Sequence, residues 1–145
     1  MSKLENYRNA FAEASEKIIA ANILFRSEEE ETGSRSLESQ AIIKISSNRR
    51  MGHTTTLFGV ARKFFKKPLF VFANKHQESF FVREKGCSSD SCCLASRVDT
   101  HILGDHDAIL VDNASYISND DTDKIKMVSG YMYSKNKNFC LIMIG

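Results

Sequence analysis

The sequence predicts an α/β protein: a three-layer sandwich around a mostly parallel sheet, folded as a single domain with an N-terminal amphipathic helix. Three observations lead there. Short runs that are apolar at every position recur along the chain, as strands buried on both faces do. Segments with helical periodicity lie between those runs, the alternation that builds a parallel sheet covered on both sides. The length of 145 residues suits one domain with a sizeable core.

The elements follow in order. Leu4, Tyr7, Phe11, Ala14 and Ile18 recur at three- and four-residue steps, which predicts a helix with this stripe packed on the core. Ser2 and Glu5 have the spacing of a capping box at its start. The run Glu28–Glu31 followed by Thr-Gly-Ser breaks the period, so about residues 27–38 read as a solvated loop. Residues 1–38 are thus a helix with an acidic loop, and 39–145 form the α/β domain proper. Ala41–Ser46 reads as a first buried strand, and residues 52–65, with Leu57, Val60, Ala61 and Phe64 at helical spacing, as a helix closed by Lys66-Lys67-Pro68. Leu69–Ala73 is a second strand, residues 74–84 a short helix and 86–99 a loop. Ala108–Asp112 is a third strand that ends in an acid. Asp120–Val128 is a short helix with acids in its first turn, where the helix dipole favours them, and Phe139–Ile144 is a fourth strand.

Composition narrows the function classes. With 42% hydrophobic residues and one Pro, the chain is neither disordered nor a linker. No apolar run is long enough to span a membrane, so no membrane partner is expected. The polar start Met1-Ser2-Lys3-Leu4-Glu5 is unlike a signal peptide, and a cytoplasmic location is expected, that of the host if the protein is viral. The net charge of +2 conceals a basic centre: residues 41–97 hold eleven bases and three acids, and the two ends are acidic. Such a centre is either a solvated face or an attractor of polyanions. Cys87, Cys92 and Cys93, with His101 and His106 downstream, are poorly spaced for a zinc site and read as ordinary thiols in a polar loop. His76 reads as a surface-loop histidine. Tyr131-Met132-Tyr133, with Lys135 and Lys137, reads as strand-edge packing rather than a base-stacking platform.

In α/β sheets ligands sit beyond the carboxyl ends of the strands, which directs attention to the turns after Ser46 and Asp112. The first of these reads Ser47-Asn48-Arg49-Arg50-Met51-Gly52-His53-Thr54-Thr55. Against the phosphate-loop pattern G-x-x-x-x-G-K-[ST], Gly52 and Thr54 match, while Ser47 replaces the first glycine and His53 the lysine. Strand, tight loop and helix N-terminus come in the order that wrapping amide groups around a phosphate requires. Residues 47–55 are therefore the candidate phosphate-binding segment. Thr54 and Asp112 are candidate magnesium ligands.

These residues resemble the P-loop ATPases. Ile45–Thr56 looks like a Walker A segment and His106–Ala114 like a Walker B segment, in the variant found in viral DNA-packaging (large terminase) and helicase-type motors. The resemblance covers about residues 40–145. It implies ATP and Mg2+, and force exerted on DNA alongside other viral or replication proteins. Its departures have chemical consequences. His53 is mostly neutral near pH 7, where lysine would carry a fixed charge, although Arg49 or Arg50 could supply one. Asn113 stands where a glutamate usually polarises the attacking water, and a carboxamide can orient water without accepting its proton. Weak or absent hydrolysis is expected. The alternative is a non-catalytic P-loop module whose basic centre binds nucleic acid or a partner protein. A third possibility is a nucleoside or nucleotide kinase with the Cys87–Cys93 cluster binding zinc.

Overall fold

The structure is a computed structural model and describes residues 2–29, 42–46, 53–86 and 88–145. Its elements are α1 (Lys3–Glu29), β1 (Ile42–Ile45), α2 (His53–Phe64), β2 (Pro68–Phe72), α3 (Lys75–Lys85), β3 (Cys92–Leu94), β4 (Ala108–Asp112), α4 (Asn119–Lys135) and β5 (Cys140–Ile144). The five strands form one sheet in the order β1-β5-β4-β2-β3, and every pairing is parallel.

Strict alternation along each strand divides the core in two. Ile43, Ile45, Phe70, Phe72, Ala108, Leu110, Ile142 and Ile144 face one side, where Ile19 of α1, Leu57, Val60 and Ala61 of α2 and Phe81 of α3 cover them. Leu69, Val71, Ile109, Val111, Leu141 and Met143 face the other, under Ile125, Val128 and Met132 of α4 and Val98. Both faces are dry, which is why the strand sequences are apolar at every position. The three-layer α/β expectation is met.

The capping box of α1 forms: the Glu5 amide donates to Ser2 Oγ and the Ser2 amide to Glu5 Oε2, each at 3.1 Å. The stripe behind it does not pack as expected. Leu4, Tyr7 and Ile18 are exposed, whereas Ser15 and Ile19 are buried and Phe11 and Ile23 pack against the core. The buried row is 11-15-19-23, a run of four-residue steps that leaves the 4-7-11-14-18 row at Phe11. Residues 2–10 are all exposed, so only the later turns, where Ile19 and Ile23 lie, overlie the sheet. The helix also runs to Glu29, into the stretch expected to be loop.

Two further expectations change. The 86–99 loop contains β3, whose Cys92, Cys93 and Leu94 pair with Phe70, Val71 and Phe72, followed by a 3-10 segment over Ala95–His101. Cys92 and Cys93 are therefore buried strand residues, not thiols of a polar loop. Tyr131-Met132-Tyr133 lies in the last turns of α4 instead of at a strand edge. Met132 and Tyr133 are buried there, and Lys135 and Lys137 sit over the rings of Tyr131 and Tyr133, each 4.5 Å from the centroid. Gly130 costs the helix only about 1 kcal/mol, too little to end it. His76 is in the first turn of α3, exposed. Among the described residues, no helix is long and apolar enough to cross a membrane.

Candidate nucleotide and metal site at the carboxyl edge of the sheet

The connection from β1 crosses one face through α2 to reach β2. The connection from β4 returns across the other face through α4 and inserts β5 between β4 and β1. The connections leaving β1 and β4 thus cross opposite faces, and in open α/β sheets ligands bind outside the carboxyl ends of the strands. The terminal row there is in register: Ile45 pairs with Ile144, and Ile144 with Asp112. Two strand spacings, about 10 Å, separate the ends of β1 and β4. The Gly145 amide closes the row by donating to the Ile45 carbonyl at 2.9 Å.

Alternation along β4 places Asp112 on the same face as Ala108 and Leu110, which is the face α2 covers. Asp112 is 3% exposed. Thr54, in the first turn of α2, donates its hydroxyl to Asp112 Oδ2 at 2.6 Å, joining positions 58 residues apart. A hydrogen bond of this length to a carboxylate is in the charge-assisted range. α2 begins at His53, so the free amide groups and positive end of its dipole lie at the same edge.

Of the residues singled out from sequence, the structure brings together Thr54 and Asp112. Asn113 follows directly and is half-buried. Thr55 is exposed in the first turn of α2. Ser47, Asn48, Arg49, Arg50, Met51 and Gly52 lie outside the described residues, and of His53 only the backbone is described. Thr54 and Asp112 both present oxygen, the donor type that suits a hard cation such as Mg2+. Their donor chemistry therefore fits the ion named from sequence.

Two features of this edge are not legible in the motif alone. Asn113 has φ +51° and ψ +49°, the left-handed region, which asparagine tolerates better than other residues with a Cβ. The backbone gives this position its own reason to be asparagine, apart from any loss of a glutamate. Gly145 has φ +141°, and a Cβ on it would come within 2.8 Å of the Ala114 amide nitrogen and 2.9 Å of Asn113 Cα. The end of β5 thus lies directly against the turn that carries Asn113. The adjacent glycine and asparagine are weak signals in a sequence, since each is common in ordinary turns.

Other candidate groups lie elsewhere. Burial, with added repulsion from Glu78, Cys92 and Asp99, pushes the Cys93 thiol up to about 12. The His101 and His106 rings are 5.7 Å apart. Burial lowers the His106 pKa below its ordinary value, partly opposed by its contact with the Lys67 carbonyl. Cys87 is outside the described residues, and among those described no three His, Cys, Asp or Glu side chains converge as a metal cluster. Clefts of about 640 and 360 Å³ open at the opposite, amino edge of the sheet, around Phe65, Lys66 and Lys67. A roomy cleft is therefore a poor guide to the Thr54–Asp112 pair, which is identified by its chemistry.

The fold and this edge define a class: a doubly covered parallel sheet with a hydroxyl–carboxylate pair at the carboxyl ends of its strands. Compared with protein-family models, curated proteins and solved structures, the chain matches none.

Proposed function

We propose that the protein binds a nucleoside triphosphate with magnesium at this edge and hydrolyses it slowly or not at all. The observation that carries the reading is the 2.6 Å hydrogen bond between Thr54 and Asp112. A phosphate loop needs its Ser/Thr hydroxyl and the acid of a neighbouring strand within reach of one cation. Nothing in the spacing of 58 residues obliges two such side chains to meet.

The roles follow from the residues. The amides opening α2 are donors for phosphate oxygens, and the helix dipole favours the negative charge. Thr54 and Asp112 would hold the ion. Magnesium, when bound, neutralises charge on the terminal phosphates. Residues 47–52 connect β1 to α2 and would wrap the phosphates, with Arg49 or Arg50 offering the charge that His53 lacks near neutral pH. Asn113 can orient a water by its carboxamide but cannot take its proton, so the water is not activated. Binding without efficient turnover is the expected balance. The place of such a protein in DNA packaging or a related helicase-type process rests on the motif resemblance.

Calorimetric titration tests the reading with ATP and a non-hydrolysable analogue, each with and without Mg2+. Binding that requires Mg2+ and tightens in His53→Lys is expected. Absence of heat for both proteins would reject it.

A further inference from the structure

We propose that the cleft at the amino edge of the sheet, between the second half of α2, the start of β2 and the Ser88–Ser91 turn, holds a segment of single-stranded nucleic acid. This rests on a different edge of the molecule from the nucleotide site, so the two readings stand or fall separately.

The cleft has a volume of about 360 Å³, and Phe58, Phe65 and Phe70 line it. Phe58 is the half-buried outer member of an aromatic cluster, 6.2 Å from Phe70 and 5.8 Å from Phe81 between ring centroids. Two cations stand over its ring: the Arg62 guanidinium at 5.6 Å and the Lys85 ammonium at 5.4 Å. Lys66 adds a third at the rim.

The charge state of these cations matters more than their number. Lys63 is paired with Glu16 and Lys67 with Asp105. Among the described residues, Arg62, Lys66 and Lys85 are in no salt bridge. Unneutralised cations are therefore gathered around the aromatic recess, and among the described residues Asp90 is the one carboxylate lining it. An acidic peptide would satisfy the cations and leave the phenylalanines without a flat partner. A nucleobase carrying its phosphates uses both, since bases stack on aromatic rings and guanidinium planes while the backbone tracks positive charge. A duplex cannot seat a base in a recess without unpairing it. Three cations around one recess exceed what a nucleoside monophosphate needs, which favours a strand over a single nucleoside monophosphate.

Fluorescence anisotropy of the full chain with a labelled oligothymidylate of about 15 nucleotides tests this. Arg62→Gln/Lys66→Gln changes only exposed side chains; it is expected to weaken binding about tenfold. It should also flatten the log K against log salt slope by about 1.4, at about 0.7 for each of the two phosphates left without its cation. Phe58→Leu is expected to weaken binding at least fivefold with little change in that slope, because stacking is not a counter-ion effect. Lys126→Gln/Lys135→Gln, on the opposite face, should leave binding unchanged. The proposal is overturned if the oligonucleotide does not bind, if a duplex of equal length binds as tightly, or if free AMP displaces the strand. It is equally overturned if the control pair weakens binding as much as Arg62→Gln/Lys66→Gln.

Discussion

Replacing Thr54 by valine removes the hydroxyl that meets Asp112 while keeping the side-chain volume and a nearly equal helix propensity. The change deletes a 2.6 Å bond to a carboxylate that is 3% exposed. Hydrogen bonds to charged groups contribute about 1.5–3 kcal/mol, and the carboxylate stays buried. Because a kcal/mol shifts the melting temperature of a domain this size by about 2–4 °C, Thr54→Val should melt roughly 3–12 °C below wild type without ligand. The second half of the prediction concerns ligand. ATP with Mg2+ at about one hundred times its dissociation constant stabilises the folded state by about 2.7 kcal/mol, or roughly 5–11 °C. That shift should be present in wild type, absent in Thr54→Val and restored in Thr54→Ser, which returns the hydroxyl. Differential scanning fluorimetry reads both quantities in one plate. A Thr54→Val protein that melts with wild type and responds equally to ATP and Mg2+ would refute the reasoning.

The remaining predictions concern the neighbourhood of the site and the core. Asn113→Gly should leave stability unchanged or raise it, and Asn113→Ala should lower it by about 1 kcal/mol, because the position holds φ +51°; urea unfolding that ranks the two the other way would contradict this. His106 is held below the ordinary histidine value of 6.5 chiefly by burial, so the unfolded chain binds its proton more readily. Its contribution to stability should be fully present above about pH 6.5 and fall as pH drops toward the lowered folded value; urea midpoints of His106→Asn should lose that part of the pH dependence. Ser129 is fully buried in α4, and its Oγ makes no hydrogen bond among the described residues. Ser129→Ala should therefore be neutral or stabilising by up to about 1 kcal/mol, whereas a loss of that size in chemical denaturation would reveal a hidden partner.

The sheet was legible because its strands are buried on both faces and so are written as apolar runs; Leu69–Phe72, Ala108–Val111 and Cys140–Ile144 could hardly lie elsewhere. The weak elements were the ones whose signal is short or shared. β3 has three residues, and its cysteines invited a metal or loop reading before a strand one. In α1 two apolar rows cross at Phe11, and only contact with α2 and the sheet decides which is buried. At the carboxyl edge, Thr54 and Asp112 were singled out by their likeness to the hydroxyl and acid of phosphate-loop proteins, and what the structure adds is that the two side chains meet. The backbone constraints on Asn113 and Gly145 were not, since left-handed geometry and a close approach belong to the fold and leave no periodic trace.

Manganese substituted for magnesium tests where the ion resides, because its unpaired electrons broaden the resonances of nearby nuclei. With the nonhydrolysable ATP analogue bound, amide signals of Thr54, Thr55, Asp112, Asn113 and Gly145 should broaden as Mn2+ is added. Those of Lys67, His106 and Asn138, at the other end of the strands, should broaden far less. Uniform spectra throughout the titration, or broadening confined to the Lys67 end, would contradict the placement of a metal-bound nucleotide between α2 and β4.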